Sequence, residues 1–119
     1  MAAGAAQGLL IHAYGAEDSD ALATALRAAR GSRKELGPGP EIQIIVQGPA
    51  VRLLTVGSTY AEELDSTSQD STIEIFACQN SMRSAEVDQA DLLPVSGSVP
   101  SAVAHLAQQQ WNGWAYVRF

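Results

Sequence analysis

The chain has 119 residues, 46% of them hydrophobic and 17% charged, which fits one domain with one proper core and excludes a disordered or fibrous polymer. Seven Lys and Arg against thirteen Asp and Glu leave a net charge of −6, too acidic and too thinly basic for a direct nucleic-acid or anionic-membrane partner. One cysteine cannot close an internal disulfide, and no apolar run approaches the length of a membrane span, so the expected compartment is a reducing cytoplasm.

The opening residues lack a basic n-region, and their apolar stretch is broken by His12 and Tyr14, so they read as the approach to a first strand and not as a signal peptide. "GLLIHAYG" (8–15) is a short apolar run ended by glycine, as a buried strand would be. In "EDSDALATALRAARG", Ala21, Leu22, Ala25, Leu26 and Ala29 fall on one helical face. Asp18 or Ser19 is positioned to cap that helix and Gly31 to end it. "SRKELGPGP" (32–40) reads as a loop because of its two Gly-Pro pairs.

"EIQIIVQGP" (41–49) is a second strand, rich in β-branched residues and stopped by Gly48-Pro49. "AVRLLTVG" (50–57) suggests a helix, and "STYAEELDS" its continuation after a break at Gly57. "TIEIFA" (72–77) is a third strand, followed by a short helix in "NSMRSAEV". "LLPVSGS" (92–98) is a fourth strand with Pro94 near its beginning. "VPSAVAHLAQQQW" is a helix with Pro100 in its first turn, stopped by Asn112-Gly113, and "WAYVRF" closes as a fifth strand. Strand and helix alternate throughout, so residues 1–119 form a single α/β domain: three layers, α/β/α, around a mainly parallel sheet of about five strands.

In such sheets ligands sit beyond the carboxyl ends of the strands. Cys78 stands at one of those ends, against the start of a helix. The free N–H groups there favour an anion, and thiolate is the nucleophilic form of cysteine. Asn80 and Ser81 would supply a capping side chain and backbone N–H groups around the sulfur, and Gly48 would let the neighbouring loop come close. Arg83, one turn on, adds positive charge. The bland alternative is a small hydrophobe filling the core. His12, at the end of the first strand, is placed either to pair with Cys78 or to be hydrogen-bonded at the rim; His105 reads as surface.

Cys78 and Arg83 are one residue too close for a cysteine-phosphatase cradle, and there is no P-loop or dinucleotide fingerprint. One cysteine and two histidines do not suggest a zinc site, so neither metal nor cofactor is expected. Glu62, Glu63, Asp65, Glu86, Asp88 and Asp91 read as solvated faces. Glu74 lies inside a strand and needs an edge, a partner or a subunit contact. Trp111, Trp114, Tyr116 and Phe119 suggest both core packing and an oligomer contact.

"GPAV" after the second strand, "IEIFACQNSM", and the ending "QQQWNGWAYVRF" together resemble the DsrE/DsrF-like family, a set of small α/β proteins of sulfur-relay pathways, from about Ile42 onward. The resemblance implies that Cys78 accepts sulfane sulfur as a persulfide and passes it on. It also implies assembly into rings or other oligomers, with sulfur-donor and acceptor proteins as partners. No second cysteine is present to resolve the persulfide. The leading expectation is thus a sulfur carrier or sulfurtransferase-like protein. The other is a non-enzymatic oligomeric module that binds a small ligand or partner at the same edge, with Cys78 incidental.

Overall fold

The computed structural model describes residues 8–119. Five strands form one sheet, β1 (Gly8–Tyr14), β2 (Glu41–Gln47), β3 (Ile73–Cys78), β4 (Ser96–Val99) and β5 (Ala115–Arg118). Every pairing is parallel, in the order β4-β3-β2-β1-β5. Four helices connect them: α1 (Ala21–Leu36), α2 (Ala61–Ser68), α3 (Gln79–Ser84) and α4 (Ala102–Trp111).

The order explains the layering. From β1 to β4 the chain steps repeatedly in one direction, then jumps back across the sheet to set β5 beside β1. Right-handed crossovers put the first three connections on one face and α4 on the other. The packing agrees. Leu9, Ile11, Ile42, Ile44, Val46 and Ile75 meet Leu22, Leu26, Val51 and Leu64 in a broad apolar core. The opposite face has a small cluster, in which Leu10, Ile45 and Cys78 meet Ala102 and Leu106 of α4.

Helix α4 covers that face. Its first residue touches Cys78, through an Ala102 N–H 3.4 Å from the sulfur. Just past its end, the Trp114 indole lies so close over Gly8 that a Cβ there would be 2.1 Å from the ring. Two corners of the sheet are left open. At one stand Tyr14, Tyr116 and Phe119, all exposed; at the other, Glu74.

Several boundaries differ from expectation. Gly31 does not end α1. It sits on the solvent side with nothing near it, and the helix runs through residues 32–36, read above as loop. The gain lies in the extra turn: Arg33 donates to Asp70 on the far side and to Gly37 O, and Gly37 at φ 77° makes the stop. The segment after β2 is a 3-10 helix, Gly48–Leu54, started by Pro49 and not continuous with α2. Strand β4 begins at Ser96, so Pro94 lies outside it, where its missing N–H costs no ladder bond.

Candidate functional site

Three strand ends build the candidate edge. After β2, Gly48 takes φ 81°, and a Cβ there would stand 2.9 Å from Gly15 O, so the position requires glycine. The corner is laced: Gly15 N–H donates to Gln47 O, Ala50 N–H donates to Gly15 O at 3.0 Å, and Gly48 N–H donates to Ser81 Oγ at 2.8 Å. A cavity of about 370 Å³ opens here, lined among others by Tyr14, Gly48, Arg52, Asn80, Ser81 and Ser84. Arg52 is anchored on Ala85 O and reaches Glu17.

Cys78 does not line that cavity. It is only 1% exposed. Side chains alternate along a strand, and its position turns the thiol onto the α4 face, among Leu10, Ile45 and Leu106. The open thiol expected at the sheet edge is therefore found one layer down, behind Ser81.

Its surroundings are nonetheless polar on one side. Burial pushes the thiol up, but hydrogen bonding from the N–H groups of Ser81, Ala102 and Asn80 and from the Ser81 hydroxyl outweighs it and brings the thiol below the ordinary cysteine value; the Ala102 N–H stands 3.4 Å from the sulfur. Two helix starts supply those donors: α3, where Cys78 itself is the N-cap, and α4, where Ser101 caps by accepting from Ala104 N–H. The Asn80 side chain makes no cap; it binds Arg83, which is exposed.

His12 does not pair with Cys78. It is 7% exposed, with both ring nitrogens used: Nε2–H donates to Gln47 Oε1 at 2.8 Å and Nδ1 accepts from the Tyr116 hydroxyl at 2.7 Å. Desolvation lowers its pKa, the Gln47 bond opposes that, and Arg118 lowers it further. This is the rim alternative, and it fixes the neutral ring. His105 is half-buried and not simply on the surface: it bonds Gln43 Oε1 at 2.7 Å beside Phe76, and Gln43 in turn reaches Glu74. Burial lowers the His105 pKa, against a raising pull from Glu74.

Gln47 and Ala102 are given no role by the sequence, and Tyr116 only one in packing or an oligomer contact; each reaches the site through strand order. Tyr116 neighbours β1 only because β5 crosses back. Ala102 reaches the sulfur only because α4 lies alone on its face. The one local signal is Pro100, which marks a helix start but not its target; it stands just before the Ser101 cap of α4 and not in the first turn expected for it. Among the described residues, no three His, Cys, Asp or Glu side chains are grouped to hold a metal ion.

A parallel sheet with a ligand edge and a donor-ringed cysteine at a strand end defines a small α/β domain with a candidate thiol site. The chain belongs to the DsrE/DsrF-like family, whose pattern it matches over residues 9–119. No curated protein is similar enough to count as a relative. Solved structures share the fold. A protein of unknown function, MTH1491 from Methanobacterium thermoautotrophicum, superposes with a TM-score of 0.84 at 24% identity, over 95% of this chain and 98% of that one. The ychN protein from E. coli gives 0.78 at 19%, over 95% and 99%. BT1422 from Bacteroides thetaiotaomicron, a conserved protein of unknown function, gives 0.74 at 17%, over 100% and 99%. No helix among the described residues is long and apolar enough to cross a membrane.

Proposed function

We propose that this protein is a sulfur carrier, accepting sulfane sulfur on Cys78 as a persulfide and passing it on. The observation that carries the reading is the place of Cys78 between two helix starts, as N-cap residue of α3 and with its sulfur 3.4 Å from the Ala102 N–H of α4, which favours the anion in both thiolate and persulfide. Family membership supports it, since the family is associated with sulfur relay. In the step, the Cys78 thiolate attacks the terminal sulfur of a donor persulfide. The donor S–S bond breaks, its thiolate leaves with the bonding pair, and Cys78 holds the new S–S bond. The reverse exchange onto an acceptor thiolate restores Cys78, and no external oxidant or reductant is needed. Donor and acceptor proteins approach the edge at Gly48, Asn80 and Ser81. Ser81, which lines the cavity and hydrogen-bonds the sulfur, is the residue that stands between the two. A homo-oligomer in a reducing cytoplasm fits the exposed Tyr14, Tyr116 and Phe119 corner.

A second reading is favoured by one observation, the 1% exposure of Cys78. In it the cysteine is core filler, and the chain is a non-enzymatic oligomeric module that binds a small ligand or partner at the cavity. Incubation with a persulfide donor followed by intact mass separates the two. The carrier gains about 32 Da, one sulfur atom, on the folded wild type and nothing on Cys78→Ser. A folded wild type that gains no mass, with ligand or partner binding retained in Cys78→Ser, leaves the module.

A further inference from the structure

The buried imidazole of His12 takes no part in the sulfur step, yet both of its ring nitrogens are hydrogen-bonded to neighbouring strands. It bridges three strands: its own β1, Gln47 at the end of β2, and Tyr116 on the edge strand β5. Gln47 is followed directly by Gly48, whose N–H is the donor to Ser81 Oγ. The Gln47 carbonyl is itself held by Gly15 N–H, so the residue is gripped at both ends of its side chain and backbone. Phe119, just past β5, adds a second tie, because its N–H donates to His12 O at 2.9 Å.

We propose that His12 is a positioning residue: by holding Gln47 against β5 it keeps the Gly48 N–H on Ser81 Oγ, and so couples the protonation of a buried ring to the donor set at Cys78. The proposal takes from the sulfur-carrier reading only the identity of the atom that Ser81 faces. The groups around the ring make the coupling directional. Tyr14 stands edge-on at 6.1 Å and Tyr116 is tilted at 5.8 Å. Arg118, over the Tyr14 ring, is the charged neighbour from β5. Gln47 is the neutral partner from β2; on α4, which covers the same face, Ala102 and Leu106 are apolar and His105 is the titratable residue, bonded to Gln43. Protonating the ring puts hydrogen on Nδ1, so the Tyr116 hydroxyl must turn from donor to acceptor beside a new cation repelled by Arg118. The lowered His12 pKa is consistent with that cost.

The test uses the full chain and a pH titration by NMR, following the His12 ring and the Gly48 amide together. The expected result is a Gly48 amide shift with the same midpoint as the imidazole. In His12→Gln, which replaces the titratable ring with a neutral amide able to donate and accept, that pH-dependent shift is lost. The alkylation rate of Cys78, in the same two proteins, loses its His12-linked step. A Gly48 amide that stays put while the wild-type ring titrates overturns the proposal; that measurement needs no variant to fold. Cys78→Ser keeps the Gly48 response whether or not sulfur is carried, so failure of the carrier reading and failure of this coupling are told apart.

Discussion

The two faces of the sheet are built on different terms. One lies under α1, α2, α3 and the 3-10 segment, and its contacts are almost wholly aliphatic. The other has α4 alone, and around Leu10, Ile45, Cys78, Ala102 and Leu106 it gathers His12, Gln43, Gln47, His105 and Tyr116. The first face holds the molecule together. The second spends its area on hydrogen-bonded polar groups, which contribute less net stability than apolar packing but can change state. Stability and chemistry are divided across one sheet five strands wide.

The sharpest way to break this contrast is a matched pair of truncations. Leu26→Ala, in the covered core, is expected to cost about 2–5 kcal/mol by denaturant unfolding. Leu106→Ala, on the thin face, should fall at or below the low end of that range, because its site can relax toward an open corner. Equal losses would mean that both faces carry the fold alike.

Next come two glycines. Gly48→Ala forces a Cβ against Gly15 O at a left-handed φ, and about 1–3 kcal/mol should be lost, together with the Gly48–Ser81 bond. Gly31→Ala, on the exposed side of α1 with open space around it, should instead stabilise by about 0.5–1 kcal/mol. Thermal melts of the two variants in opposite directions would locate the strained backbone at the candidate edge.

The smallest effect is expected from acid. His12 and His105, both on the thin face, have folded pKa values below 6.5. The unfolded chain therefore binds more protons just below that pH. Their contribution is fully present above 6.5 and is lost as pH falls from 6.5 through the lowered folded values. Denaturation midpoints measured downward from neutral pH should fall in that window, and less so in His12→Gln. The Cys78 thiol works the same way at alkaline pH: with its folded value lowered, stability rises as pH climbs from that value to the ordinary one.

Much of this architecture is legible in the chain. β2 and β3 announce themselves by runs such as "IQIIV" and "IEIF", and the strand-helix alternation gives the sheet its parallel sense. The Asn112-Gly113 stop is found where expected, with Gly113 at φ 92°. The site is less legible, for a definite reason. Which face a strand residue occupies depends on a parity of two, and which helix covers that face depends on strand order. Local pattern places Cys78 at the end of β3 but cannot say that its sulfur turns toward α4. Gly31 misleads because an exposed glycine costs a helix only about 1 kcal/mol, less than the turn anchored by Arg33 returns.

The placement of β5 beside β1 has a consequence for how the molecule is made. Leu9 finds its ladder partner in Ala115, so the earliest described strand waits for the final one to leave the ribosome before its outer flank is paired. Until then that flank is an open template for another copy, and closure of the clasp is the step that removes the hazard.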